Sequence, residues 1–340
     1  MMKIEKKVLA EVDKVYATCI GTRNGKTAWF GASEGAGECV CAQGDRIEKL
    51  WTEPGGTMNI VPIPGRDGEF YATQKFLPVF AAADCTLNYV RYENGDWIVS
   101  EVMKTPYLHR FDLFLQGGEV YFIGASLCGK KEFTQDWSSP GAVYAGKVKE
   151  NPGEAFPLRK LYEGITKNHG FCREERDGVL RYLITGTEGL FAFEVPPCPC
   201  SDDWKISRLL DGEVSDIAVC DIDGDGKAEY ASIEPFHGNK AVIYKEEGGK
   251  LIPVKEYEID FGHVIWGGTI NGKPVFLLGY RRQEMELLMI SYDGGFKEEL
   301  IDSGTGPSQI SVLSGENESF VLSANRQINE LALYKISIDK

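Results

Sequence analysis

Apolar residues in this chain seldom recur at the three- and four-residue spacing of an amphipathic helix. They come in short runs rich in Val, Ile, Phe, Tyr and Trp, broken by turn signals such as "RNGK", "QGGE", "ENGDW", "ERDG", "INGK" and "YDGG". Runs of that length predict strands, and the Asn-Gly and Asp-Gly pairs between them predict tight hairpins. The runs also repeat. "TAWFGAS", "EFYATQK", "VYFIGAS", "RYLITGT", "AEYASIE", "VFLLGYR" and "SFVLSAN" read as equivalent second strands, and "AVYAGKV", "GLFAFEV", "AVIYKEE", "ELLMISY" and "ELALYKI" as third strands. Seven units of about 49 residues, each with four strands, is the arithmetic of an all-β, seven-bladed β-propeller of antiparallel blades. The units span roughly 11–54, 55–103, 104–163, 164–212, 213–260, 261–303 and 304–340. The last one stops after its third strand, so the N-terminal "KKVLAEV" is expected to supply the fourth and close the ring. A two-sheet sandwich is the alternative, but it does not require a sevenfold repeat.

The innermost strands of a propeller line its central channel. Aligning the unit starts on their apolar residues gives "TCIG", "MNIV", "LHRF", "NHGF", "SDIA", "GHVI" and "SQIS". The second position then holds Cys19, Asn59, His109, His169, Asp216, His263 and Gln309. Three of the chain's four histidines fall at one level of the predicted channel. The fourth, His237, follows a second strand, where Glu34, Lys75, Glu188, Arg281 and Arg326 also fall, at the mouth of the same face.

Composition narrows the partners. A formal net charge of −14 leaves no basic surface for phosphates, so neither a nucleic acid nor an anionic membrane is expected to bind. No run is long and apolar enough for a transmembrane helix or a signal-peptide core. The nine cysteines, with close pairs only in "CVC" and "CPC", read as reduced thiols of a cytoplasmic protein. There is no phosphate-binding glycine loop, nucleophile elbow or dinucleotide fingerprint.

The sharpest local motif is "DIDGDGKAE". Asp221, Asp223 and Asp225 alternate, Lys227 offers a carbonyl two residues on, and Glu229 follows at the ninth position. Oxygens at that spacing suit a calcium ion, which takes six to eight of them. Its expected role is structural, stapling a hairpin.

With this loop, "DIAVCDIDGDGKAEYASIEPFHG" resembles an FG-GAP or VCBS repeat, the calcium-loop propeller blade. "HVIWGGTINGKPVFLLGYR" resembles the same blade with the acidic loop replaced. The likeness is strongest over residues 210–340. "HVIWGG" followed by "GYR", "IDSGTGPSQISV" and "ANRQINELALYKI" are distantly similar to the propeller part of aldos-2-ulose dehydratase-type lyases. That likeness implies elimination of water from an oxidised sugar at a protein-bound metal. Closing blades of those lyases often carry a histidine where this chain reads "ANRQIN", and Arg326 stands in that segment. "HRFDLF", "DWSSPGAVYAG" and "KNHGF" resemble parts of an uncharacterised bacterial propeller group, which implies no activity.

Imidazole binds divalent transition metals and exchanges protons near neutral pH. His109, His169 and His263 are therefore candidate ligands for an ion such as Zn, Mn or Ni, with His237 as a further ligand or general base. Glu34 or Glu188 is a candidate base, and Arg281, Arg282 or Arg326 a candidate oxyanion holder. Lys75, Arg110 and Lys167 join Arg282 as candidate substrate contacts. Trp137 and Trp266 either stack under a sugar ring or pack between blades. Two functions follow: a metal-assisted carbohydrate lyase or isomerase, or a non-catalytic propeller that binds a glycan or protein.

Overall fold

A computed structural model describes residues 2–338. After β1 (Met2–Glu11), the first sheet is β2 (Val15–Arg23), β3 (Lys26–Ser33), β4 (Cys39–Gln43) and β5 (Arg46–Trp51). The second is β6 (Ile60–Pro62), β7 (Glu69–Gln74), β8 (Thr86–Glu93) and β9 (Asp96–Lys104). The third is β10 (Leu108–Gln116), β11 (Glu119–Ser126), β12 (Gly141–Lys147) and β13 (Arg159–Ile165). The fourth is β14 (Phe171–Arg176), β15 (Val179–Gly186), β16 (Gly189–Glu194) and β17 (Lys205–Leu210). The fifth is β18 (Asp216–Cys220), β19 (Glu229–Glu234), β20 (Lys240–Glu247) and β21 (Lys250–Glu258). The sixth is β22 (Gly262–Ile270), β23 (Lys273–Tyr280), β24 (Leu287–Tyr292) and β25 (Phe296–Asp302). β26 (Pro307–Leu313), β27 (Glu318–Asn325) and β28 (Glu330–Ile338) complete the chain.

All seven sheets have four antiparallel strands in meander order, so the molecule is a seven-bladed β-propeller. The seventh sheet runs β26-β27-β28-β1, and the first strand of the chain pairs antiparallel with its last. No helix among the described residues is long and apolar enough to cross a membrane.

Packing between neighbouring blades is apolar and aromatic. Tyr71, Tyr182, Tyr230 and Tyr334 are among the largest fully buried side chains. Their hydroxyls do not go unpaired, as burial requires. Tyr182 donates to Asp112 Oδ2 at 2.8 Å, Tyr334 to Asp302 Oδ2 at 2.7 Å, and Tyr71 to the Pro152 carbonyl at 2.7 Å. Tyr230 sits between the Glu174 carboxylate and the Arg181 guanidinium, which also pair with each other.

A repeated backbone feature sets the top of the innermost strands. Lys14, Gly56, Tyr107, Lys167, Phe261 and Gly306 have φ of 50°, 69°, 58°, 55°, 60° and 57°. Two residues after these left-handed turns stand Tyr16, Met58, His109, His169, His263 and Ser308. Tyr16, His109 and His263 are bulged residues, skipped in pairing between Val15 and Ala17, Leu108 and Arg110, and Gly262 and Val264. An unpaired bulge residue is free to turn its side chain away from both faces of its sheet. Here that direction is the propeller axis.

Candidate metal centre at the channel mouth

Two levels of the channel emerge from this register. The upper level carries Tyr16, Met58, His109, His169 and His263, which line a pocket of about 240 Å³ together with His237. One residue further along, Asn59, Arg110, Asp216 and Gln309 line a second cavity of about 400 Å³, whose wall His169 and His263 share with the first. The alignment read from sequence mixed these levels. In the first blade the upper position belongs to Tyr16, not Cys19, which is buried in the core with its thiol pushed up by desolvation. Asn59, Asp216 and Gln309 belong to the lower level. Tyr16 was missed because the left-handed turn that fixes the register is made by Lys in two blades, Gly in two, and Tyr or Phe in the others, and so has no sequence signature.

All four histidines are brought together. Ring centroids are 5.2 Å apart for His109–His169, 4.6 Å for His169–His263, 5.0 Å for His169–His237 and 4.9 Å for His237–His263. His237 reaches the cluster from the segment after β19. Its backbone N–H donates to Ser215 Oγ at 3.1 Å, and its ring stacks on Phe236 at 4.0 Å. Phe261 covers it from another side at 4.8 Å.

The hydrogen bonding of these rings is one-sided. His263 Nδ1 lies 2.7 Å from the Ser308 carbonyl, so it carries the proton and leaves Nε2 as the free nitrogen. His169 Nε2 lies 3.3 Å from the Tyr16 hydroxyl, and its Nδ1 is buried without a partner. His109 bonds the Asn168 backbone, and its Nδ1 is likewise unpartnered. His237 Nε2 is a third buried nitrogen with no partner. One nitrogen anchored by an oxygen and the other left open is the arrangement that orients histidines toward a metal. Ligand atoms of His169, His237 and His263 lie within 4.8 Å of one another. A tetrahedral ion with bonds of about 2.0–2.1 Å needs nitrogens about 3.3 Å apart.

Burial keeps the cluster neutral. Desolvation pulls His109, His169 and His263 well below the ordinary imidazole range, and neighbouring charges act in the same direction. His237 is pulled down to about 3, first by burial and then by Arg281. Neutral imidazole is the form that ligates.

The other candidate residues fall in several places. Glu34 and Arg281 line the histidine pocket. Glu34 is buried and accepts from Arg326 Nε at 2.6 Å. Arg281 donates through Nε and Nη2 to Gln327 Oε1 at 3.3 and 2.9 Å, and its guanidinium lies 5.2 Å from the Phe261 ring. Arg282 lies 4.8 Å from the same ring. Glu188 is elsewhere: it accepts the Thr166 backbone N–H at 2.7 Å and is not among the pocket's lining residues. Lys75 pairs with Glu101 at 2.6 Å on an exposed edge. Lys167 pairs with Glu213 at 2.8 Å and lies 5.7 Å from the Trp137 ring, whose nearer cation is Lys131 at 3.2 Å. Trp137 packs on Phe80, which itself lines the pocket, so it backs the wall at one remove. Trp266 lines the lower cavity instead. Arg110 is buried and donates to the Met58 and His169 carbonyls at 2.7 and 3.1 Å and to the Tyr16 hydroxyl at 3.4 Å. It therefore forms a floor between the two levels.

The acidic loop lies in the β18–β19 hairpin. Asp221, Asp223 and Asp225 place carboxylate oxygens within 4.8 Å of one another. Gly224 and Gly226 take φ of 75° and 88°, which the tight turn requires. Glu229 accepts the Ile222 N–H at 3.0 Å, and Lys227 donates its own N–H to Asp225 Oδ1 at 2.8 Å. The Lys245 ammonium pairs with Asp223, with Asp225 at 3.5 Å and with Glu229 at 3.4 Å. Asp221 Oδ1 is buried without a partner. These oxygens fit a calcium ion in kind and spacing, and Lys245 competes for the same carboxylates.

No family model matches this chain, and no curated protein matches it. Solved structures do. A component of a mitotic checkpoint complex structure aligns with a TM-score of 0.62 at 10% identity, covering 99% of this chain and 94% of that one. Sqt1 of Saccharomyces cerevisiae aligns at 0.56 and 8%, covering 99% and 98%. A Thermus thermophilus protein described as a putative oxidoreductase (glucose dehydrogenase) aligns at 0.52 and 11%, covering 98% and 100%. At such identities the likeness is one of fold: the chain shares the propeller architecture with proteins of unrelated function.

Proposed function

We propose that the chain is a metal-assisted lyase or isomerase acting on a sugar or oxidised sugar at the channel mouth. The observation that carries this reading is the convergence of four neutral imidazoles, each with an open nitrogen, in a small pocket. His169, His237 and His263 would hold a divalent transition ion such as Zn, Mn or Ni, with His109 beside them. Such an ion, when bound, polarises a carbonyl or hydroxyl oxygen. The chain's own groups do the rest. Glu34 is the carboxylate on the pocket wall and takes the proton; Arg326 orients it. Tyr16 steadies the His169 ring and Arg281 faces negative charge that develops on the substrate oxygen. Phe76, Phe80 and Phe261 keep water from the site. Calcium in the Asp221–Glu229 loop would be structural, and the distant lyase likeness supports the same chemistry. Nine unpaired cysteines suit a cytoplasmic setting.

Elemental analysis of the purified chain tests this. About one transition metal per chain is expected, lost in the His109→Ala, His169→Ala double variant while circular dichroism stays that of a folded β-protein. Calcium alone, with the imidazoles unchanged by added zinc, would leave the propeller as a binding module.

A further inference from the structure

The cations around the histidine pocket are not equivalent. Lys75, Lys167 and Arg326 each have a carboxylate partner, in Glu101, Glu213 and Glu34. Arg281 and Arg282 have none within ion-pair distance among the described residues. Arg281 spends two donors on the neutral amide of Gln327 and is a lining residue of the pocket. A guanidinium has five donors, so most remain uncommitted. Glu34 is the carboxylate nearby, and Arg326 already holds it. Arg281 and Arg326 therefore share one glutamate, Glu34, at the pocket of a protein whose net charge is −14, with Arg282 exposed beside them. Four uncharged imidazoles add nothing to offset this excess. Arg281 is half-buried, and enclosing a cation without a paired anion is costly, so natural sites keep such groups where a ligand completes them.

We propose that the ligand of this pocket is a carboxylate-bearing sugar of monosaccharide size, and that Arg281 holds its carboxylate. The inference rests on the reading of this pocket as a sugar site and narrows it. A planar fork matched to two carboxylate oxygens gives a strong, directional pair. The pocket's volume of about 240 Å³ lies below the range of about 300–1,000 Å³ usual for larger small-molecule ligands. The face of Phe261 under both guanidiniums holds Arg281 and Arg282 in place. Burial also lowers the tendency of Arg281 to carry its charge, with Arg326 and Arg282 acting the same way and Glu34 and Tyr16 opposing it. A bound carboxylate relieves that cost.

The test is calorimetric titration of the full chain with D-glucuronate and with D-glucose, once with zinc and once with EDTA. Glucuronate is expected to bind at least ~10-fold more tightly than glucose. The preference should fall to parity in Arg281→Gln, be partly kept in Arg281→Lys, and be unchanged in Lys75→Gln. Thermal midpoints near that of the parent chain show that the variants fold. Equal binding of the two sugars, a preference that survives Arg281→Gln, or no binding of either sugar in either state overturns the proposal. Zinc binding without a glucuronate preference sinks this inference alone. A glucuronate preference without zinc binding sinks the metal reading alone.

Discussion

An imidazole enclosed by aromatic rings and other imidazoles has nowhere to put a positive charge. His109, His169 and His263 are each 2% exposed, and desolvation drives all three far toward the neutral form. An unfolded histidine titrates near 6.5. In the metal-free chain the unfolded state therefore binds more protons than the folded state as pH falls below that value. The stability that the neutral rings contribute is present above about pH 6.5. It is lost as pH falls toward the folded values, about 3 for His237. Two measurements check this. Proton NMR of the EDTA-treated chain should show no imidazole of this cluster titrating between pH 8 and 5. The urea midpoint should fall steadily across pH 6.5 to 4. A histidine titrating near 6.5 would mean that the cluster is open to water. At this scale the sequence was partly legible. Three histidines at one aligned position announced the cluster, and His237 was placed near the mouth. Tyr16 and the walls of Phe80 and Phe261 were not legible, because loops and left-handed turns position them and these leave no periodic trace. Arg110 was read from sequence as a candidate substrate contact, whereas the structure shows its donors committed to backbone carbonyls.

A single hairpin shows how an element can be written in sequence and still hide its electrostatics. The alternating aspartates and two glycines of the β18–β19 turn mark it as a cation loop from sequence alone. Nothing near them in sequence marks Lys245, on β20, as their partner. The ammonium has its tendency to stay charged raised, first by its hydrogen bond to Asp223 and further by Glu229 and Asp225. Without it, and without a cation, Asp221, Asp223, Asp225 and Glu229 repel one another. Lys245→Gln is therefore expected to destabilise the chain in EDTA by roughly 1–3 kcal/mol, as unpairing partly buried charges does. With calcium the sign reverses. An entering ion no longer has to displace an ammonium, so calcium should bind more tightly and restore the thermal midpoint to at least the parental value. Thermal unfolding of both chains, with EDTA and with calcium in excess, reads both effects. A Lys245→Gln chain that ignores calcium would mean that the loop is an acidic turn and not an ion site.

At the scale of the molecule, hairpin spacing and a sevenfold repeat carried the fold. Each blade is local, and its strands follow one another in order. Among the described residues the one non-local strand pairing is the ring's closure, where Met2–Glu11 adds to a sheet whose other strands come from β26, β27 and β28. That pairing was legible only because the seventh unit came up one strand short. Its energetic role follows from what β1 covers. Leu9 is buried, and Met2 and Ile4 pack partly buried against the seventh blade's core. Removing residues 2–11 should cost on the order of 5 kcal/mol, from burial of about 1.5–3 kcal/mol per enclosed aliphatic side chain. It should also leave β28 as a bare edge, open to strands of other molecules. The shortened chain is thus expected to have a lower urea midpoint and to form larger species in sedimentation. A synthetic peptide of residues 2–11 should reverse both by re-covering the edge. If the shortened chain stays monomeric with an unchanged midpoint, closure is held by blade-to-blade packing rather than by this strand. In that event the first blade, whose Tyr16 contacts His169, would be anchored through the Ser308 and Gln309 hydrogen bonds to Val15, Tyr16 and Thr18 instead.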